Sequence, residues 1–118
     1  MKVILIPAFV LAAALTASCA SKTQMTKQDW ALAAQKAETP EAHEELAKHY
    51  DEVAQTMQAD ADQERQMLAE YQRRPQRYGT RIYDLRARSD ALIRDFEKAA
   101  SDSRQMADFH RQLAAQPH

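Results

Sequence analysis

One glycine and four prolines in 118 residues leave the chain few places to turn and nothing with which to cradle a phosphate. P-loop and dinucleotide-binding fingerprints need several glycines at fixed spacing, so both are excluded. A single cysteine rules out an intramolecular disulfide framework and a CxxC metal or redox motif. Neither sign of charge prevails: 16 basic groups stand against 17 acidic ones, a net charge of −1, which argues against a general nucleic-acid binder. Runs alternating between apolar and polar residues are missing, so no strand is expected. There is no nucleophile elbow, and the four histidines never fall in an HxxxH pair. No enzyme and no cofactor is therefore expected. What is abundant is Ala, Gln, Arg and Glu, all strong helix formers, and the chain reads as all-α.

The one long apolar run is the opening, "MKVILIPAFVLAAALTASCAS". Lys2 is a short positive lead-in, and Val3 to Ala17 is shorter than the roughly 20 residues that a membrane span requires, so residues 1–18 read as a cleavable export signal. The small residues Ala17 and Ser18 precede Cys19, and "LTASC" resembles the bacterial lipobox, with Thr16 where leucine is usual and Leu15 displaced by one. That resemblance implies cleavage before Cys19 and lipidation of its sulfur, which also accounts for an unpaired thiol in an exported chain. Each buried acyl methylene contributes about 0.8 kcal/mol, so two or three chains would anchor the protein durably. Ala20, where aspartate would signal inner-membrane retention in enteric bacteria, implies the outer membrane facing the periplasm if the cell is Gram-negative. Loss of the leader with Lys2 takes the net charge from −1 to −2.

Punctuation then divides the chain. Residues 19–25 form a lipidated polar tether. Thr26, with Asp29 three residues on, predicts the start of a short helix over 26–38. In "TPE", Thr39 is a cap, Pro40 suits the first helical position and Glu41 suits the helix dipole. A long helix is expected to about Arg74, a turn in "RPQRYGT" with Thr80 capping the next helix, and a second long helix to about Ala115. Residues 39–116 thus predict an antiparallel helical hairpin, coiled-coil-like, with the turn near 75–80.

Both long helices carry a seam, apolar at most of its positions, at alternating spacings of three and four. In the first these are Leu46, Tyr50, Val53, Met57, Asp60, Glu64, Met67 and Tyr71. In the second they are Ile82, Leu85, Ser89, Leu92, Phe96, Ala99, Ser103, Met106, His110 and Leu113. Matching a-type layers with d-type layers across the hairpin predicts Tyr50 level with Met106, Met67 with Ser89, and Glu64 with Leu92, so that large residues repeatedly face small ones. Asp60 and Glu64 are the misfits, and local splaying, solvent access or pairing with Arg88 or Arg94 is expected there. A second stripe, Ala47, Ala54, Ala61 and Leu68 with Ile93, Ala100, Ala107 and Ala114, predicts a covering third element. Either the short helix, through Trp30, Ala33, Ala34 and Ala37, would complete a three-helix bundle, or a second copy would complete a four-helix one.

Two clusters carry candidate chemistry. Near the turn, Arg73, Arg74, Arg77 and Arg81, with Arg86 and Arg88 and the interleaved Tyr71, Tyr78 and Tyr83, form a basic tip suited to an anionic envelope polymer. Residues 38–64 are the converse, with nine acids against Lys48. At the other end, the hairpin brings His43 toward Met106 and His110, where thioether and imidazole together would suit Cu(I); a small periplasmic copper-type metal-binding protein is the alternative function.

The runs "TPEAHEELAKHYDEVAQ", "RQMLAEYQR" and "RQMADFHRQLA" resemble an uncharacterised group of small exported all-helical bacterial proteins, over about residues 39–114. The resemblance implies a helical domain and no activity. Murein lipoproteins are a looser likeness, being lipid-tethered coiled coils, but His118 stands where they end in the lysine that joins the cell wall. The expectation is a membrane-tethered helical lipoprotein of the bacterial envelope. Its hairpin would make structural or interaction contacts with a protein or an anionic polymer, no nucleic acid being involved, and a homo-oligomer would fit.

Overall fold

The structure, a computed structural model, describes residues 25–117; the stretch read as an export signal, Cys19 and most of the expected tether lie outside the described residues. The order is α1 (Lys27–Gln35), α2 (Pro40–Arg73), two single 3-10 turns at Pro75–Arg77 and Gly79–Arg81, and α3 (Ile82–Ala114). The long helices pack against each other as an antiparallel hairpin, and α1 lies against the start of α2. At about 1.5 Å per residue each arm is about 50 Å long. No strand occurs among the described residues.

Local chemistry sets the boundaries. Thr26 and Asp29 form a reciprocal capping box: the Thr26 hydroxyl accepts from the Asp29 amide at 3.2 Å, and the Asp29 carboxylate accepts from the Thr26 amide at 2.7 Å. That bond to the Thr26 amide, followed by the one to its hydroxyl, holds the Asp29 carboxyl below the usual carboxylate range. Thr39 caps α2 by accepting from the Ala42 amide at 3.1 Å, with Pro40 in the first turn. At the turn, Gly79 adopts φ +54°, the left-handed region that glycine enters without strain. Thr80 does not cap α3. The second 3-10 turn runs straight into the helix, so the Arg81 amide reaches the Tyr78 carbonyl and the Ile82 amide the Gly79 carbonyl, and no side-chain cap bond is made.

The long helices meet through alanine. Ala47, Ala61, Ala100 and Ala107 are completely buried, and Ala54 and Ile93 are buried with them, as are Leu46, Glu64, Ile82 and Ser89 of the expected seam. The stripe expected to await a third element is therefore the helix–helix interface itself. Alanine adds little bulk, so two such stripes let the backbones approach more closely than a leucine seam allows. The bulkier residues are rotated away by about 75° of helix, given 3.6 residues per turn. Tyr50, Met57 and Phe96 are half-buried beside the alanine line, whereas Met67, Leu92, Met106 and Leu113 are 38–42% exposed.

One cross-hairpin partner differs from expectation. Ser89 lies against Glu64, its Oγ donating to Oε1 at 2.5 Å, where Leu92 was expected. Neither Arg88 nor Arg94 is the partner. The buried carboxylate thus meets a hydroxyl rather than an isobutyl group, and a buried charge is tolerated only where it is hydrogen-bonded.

On the opposite edge of the alanine line the hairpin carries a polar ladder. Asp51, Gln58 and Arg65, seven residues apart, pair with Arg111, Arg104 and Glu97, also seven apart. Exposed ion pairs contribute about 0–1 kcal/mol each. Their greater effect is to penalise any other register, as the charges flanking a coiled-coil seam do. The two edges of the hairpin are thus unlike: one charged and paired, the other apolar and partly open.

Candidate functional site

Three regions hold the side chains that chemistry or contact would use: the open end of the hairpin, its apolar edge and its turn.

At the open end, residues distant in sequence form a continuous aromatic run. Trp30 on α1 stacks on His49 at 4.0 Å between ring centres, and His49 lies tilted against Tyr50 at 5.4 Å. Tyr50 stacks nearly parallel on His110 at 5.6 Å, and His110 stacks on His43 at 5.4 Å. The Nδ1 atoms of His43 and His110, residues separated by 67 positions, are 3.1 Å apart. Burial lowers the pKa of His110, and the neighbouring His43 lowers it further. Burial also lowers that of His49, with Glu52 acting in the opposite direction. Met106, the remaining member of the expected copper set, stands on the open apolar edge one turn before His110.

The stack also explains how α1 is held. It buries no residue of its own, and its attachment rests on Trp30 and on small residues over Leu46, His49 and Tyr50. A shallow cavity of about 210 Å³ remains between α1 and α2. Pockets for drug-sized ligands are about 300–1,000 Å³, so the space is small for such a guest. Helix α1 covers the hairpin only at this end, so the cover expected from the short helix is confined there.

Along the apolar edge Met67, Leu92, Met106 and Leu113 share one face, and Phe109 beyond them is 54% exposed. Large side chains regularly spaced on one side of a two-helix structure are what an interface requires, since scattered single exposures need no explanation but aligned ones do.

At the turn the four expected arginines divide into two groups. Arg73, Arg74 and Arg77 gather around Glu70, with nitrogen–oxygen distances of 3.6, 3.5 and 3.8 Å. Arg81 instead pairs with Asp84 at 3.3 Å. One carboxylate shared by three guanidinium groups leaves the first cluster with surplus positive charge. Tyr71 and Tyr78 meet edge to face at 5.0 Å and brace the turn from beneath. Arg86 follows the alanine register on α3, and its Nε is buried with no hydrogen-bond partner.

Glu70 as the collector of arginines and Tyr50 as the spacer between histidines were not apparent from sequence. Glu70 lies three, four and seven residues before its partners, and this helical spacing was the available signal. Among the described residues no group of three or more His, Cys, Asp or Glu converges as a metal site, and no helix is long and apolar enough to cross a membrane. No protein family, curated protein or solved structure matches the chain.

Proposed function

We propose that this chain is a lipid-anchored protein of the bacterial envelope that acts by contact rather than catalysis. In this reading it is cut before Cys19, held by acyl chains on that sulfur, and projects its hairpin from the membrane surface. If the cell is Gram-negative, the membrane is the outer one and the hairpin stands in the periplasm. The observation that carries the contact role is the asymmetry of the hairpin. Its charged edge is internally paired through Asp51, Gln58 and Arg65, while its other edge presents Met67, Leu92, Met106 and Leu113 to solvent. A helical partner protein, or a second copy, would cover that stripe. The arginine tip, with Arg73, Arg74 and Arg77 sharing Glu70 and Arg81 beside them, favours phosphate- or carboxylate-bearing polymer.

Mass spectrometry of the native protein tests the anchor. An acylated amino-terminal cysteine at position 19 is expected, and Cys19→Ala should release the protein from the membrane fraction. An unmodified thiol, or a mature start elsewhere, would refute the tether. Replacing Arg73, Arg74, Arg77 and Arg81 with Gln should weaken salt-sensitive retention on envelope material; unchanged retention would refute the role given to the tip.

A further inference from the structure

Helix α1 ends at Gln35 and α2 begins at Pro40, and Trp30 stacks on His49, so α1 doubles back along α2. It starts level with about residue 53 and leaves the apolar edge uncovered from there to the turn. Resting on the contact reading above, we propose that a second copy of this chain covers that stretch. The two copies pack edge to edge across a two-fold axis, with their turns at opposite ends.

The uncovered stretch is its own complement. With the axis level with residue 62 on α2 and residue 94 on α3, Met57 of one copy meets Met67 of the other. Val53 likewise meets Tyr71, and Leu92 meets Phe96. These are positions of the three-and-four rhythm that alanine packing leaves half-buried or exposed, so they form a second seam, between copies. The centres on the two helices also coincide. The ladder pairs put residue 62 level with residue 100 along one edge, and the Glu64–Ser89 bond puts it level with residue 91 along the other; residue 94 falls between. At about 1.5 Å per residue the stretch is about 30 Å long, and a two-helix face is about 20 Å wide, so the pair would bury about 1,200 Å². That is the lower end for a stable interface.

Shape and charge select this orientation. With both turns at one end, each α1 would occupy the space over α2 that the partner's α3 needs. With the turns at opposite ends, each turn stops where the partner's α1 begins. The same arrangement lays the turn, where Arg73, Arg74 and Arg77 share Glu70, along the half of the other copy that holds nine acids against Lys48. Turns at one end would instead set arginine beside arginine. One contact opposes the pairing: Asp60 of each copy faces Glu64 of the other near the axis, and like charges brought together lower the affinity. Half-association is expected at about 10–100 µM.

The test is sedimentation velocity of the purified chain carrying Cys19→Ala, from about 1 µM to about 1 mM, where a monomer–dimer equilibrium is expected. Met67→Ser and Leu92→Ser should each weaken association by about tenfold, and Asp60→Asn should tighten it. Phe109→Ser, beyond the covered stretch, should leave it unchanged. If a serine disturbs the hairpin, disulfide capture still reads the arrangement. On mild oxidation, Met57→Cys chains mixed with Met67→Cys chains should join, whereas Met57→Cys chains alone should not. A chain monomeric throughout that range would overturn the pairing. So would capture of Met57→Cys by Ala99→Cys in preference to Met67→Cys, because position 99 is its neighbour when both turns lie at one end. The anchor and the arginine tip keep their separate tests, so failure of the pairing is distinguishable from failure of either.

Discussion

The Glu64–Ser89 pair offers the sharpest test of how the hairpin is held, because it places a carboxylate that is only 7% exposed against a single hydroxyl at 2.5 Å. Replacing Ser89 with alanine removes that donor and leaves the carboxylate in place. Hydrogen bonds to charged groups contribute about 1.5–3 kcal/mol, so Ser89→Ala should destabilise the chain by about 2 kcal/mol. Glu64→Leu has opposing effects. It relieves the desolvation of a charge and buries more apolar surface, but it strands the Ser89 hydroxyl at a cost of about 1–3 kcal/mol, so the net change should be small. Replacing both, as Glu64→Leu with Ser89→Ala, leaves neither orphan. By analogy with buried ion pairs exchanged for apolar residues, this double variant should match or exceed the natural chain, by up to about 4 kcal/mol. Urea unfolding followed by circular dichroism, repeated at several protein concentrations to separate folding from association, measures all four corners of the cycle. A Ser89→Ala variant within about 0.5 kcal/mol of the natural chain would refute the pairing. So would a double variant less stable than Ser89→Ala, because the register would then rest on something other than this bond.

Three further outcomes follow from the same structure. Ala54→Leu or Ala100→Leu adds an isobutyl group where the two backbones meet; overpacking costs about 1–3 kcal/mol, and a stability gain in thermal unfolding would show that alanine does not form the contact line. Gly79→Ala meets no atom within 4 Å but forces a side chain into φ +54°, so about 1 kcal/mol should be lost through backbone strain alone; an unchanged denaturation midpoint would remove the need for that conformation. His110 and His49 have folded pKa values below 6.5, so the unfolded chain binds more protons in mild acid. Their contribution to stability is complete above that value and is lost as the pH falls through the lower folded values. The unfolding midpoint should drop on acidification from neutral pH in metal-free buffer, and His110→Gln should flatten that dependence; a midpoint rising in mild acid would reverse the assignment.

The hairpin was legible because its signals are local. Thr26, Thr39 and Pro40 mark helix starts through bonds within a few residues, and the scarcity of glycine left one place to turn. The contact face was harder to read because spacings of three and four describe two overlapping stripes on each helix. Tyr50, Met57, Phe96 and Leu92 satisfy the rhythm, and Ala47, Ala54, Ala61, Ile93, Ala100 and Ala107, displaced by about 75°, recur every seven residues beside it. Weighting by hydrophobicity chooses the first set. The helices bury all six of the second set and, of the first rhythm, Leu46, Glu64, Ile82 and Ser89, because close approach along alanine leaves most of the larger groups beside the contact line, where Tyr50 and Phe96 are still half-buried. The same choice has a functional consequence. A leucine-type seam would have enclosed Met67, Leu92 and Met106 between the two helices and left alanine outside. An alanine seam turns those residues toward solvent, while the charged ladder occupies the other edge. The feature that made the sequence misleading about packing is therefore the one that gives the hairpin an adhesive side, and the internal packing and the proposed contact role share one cause.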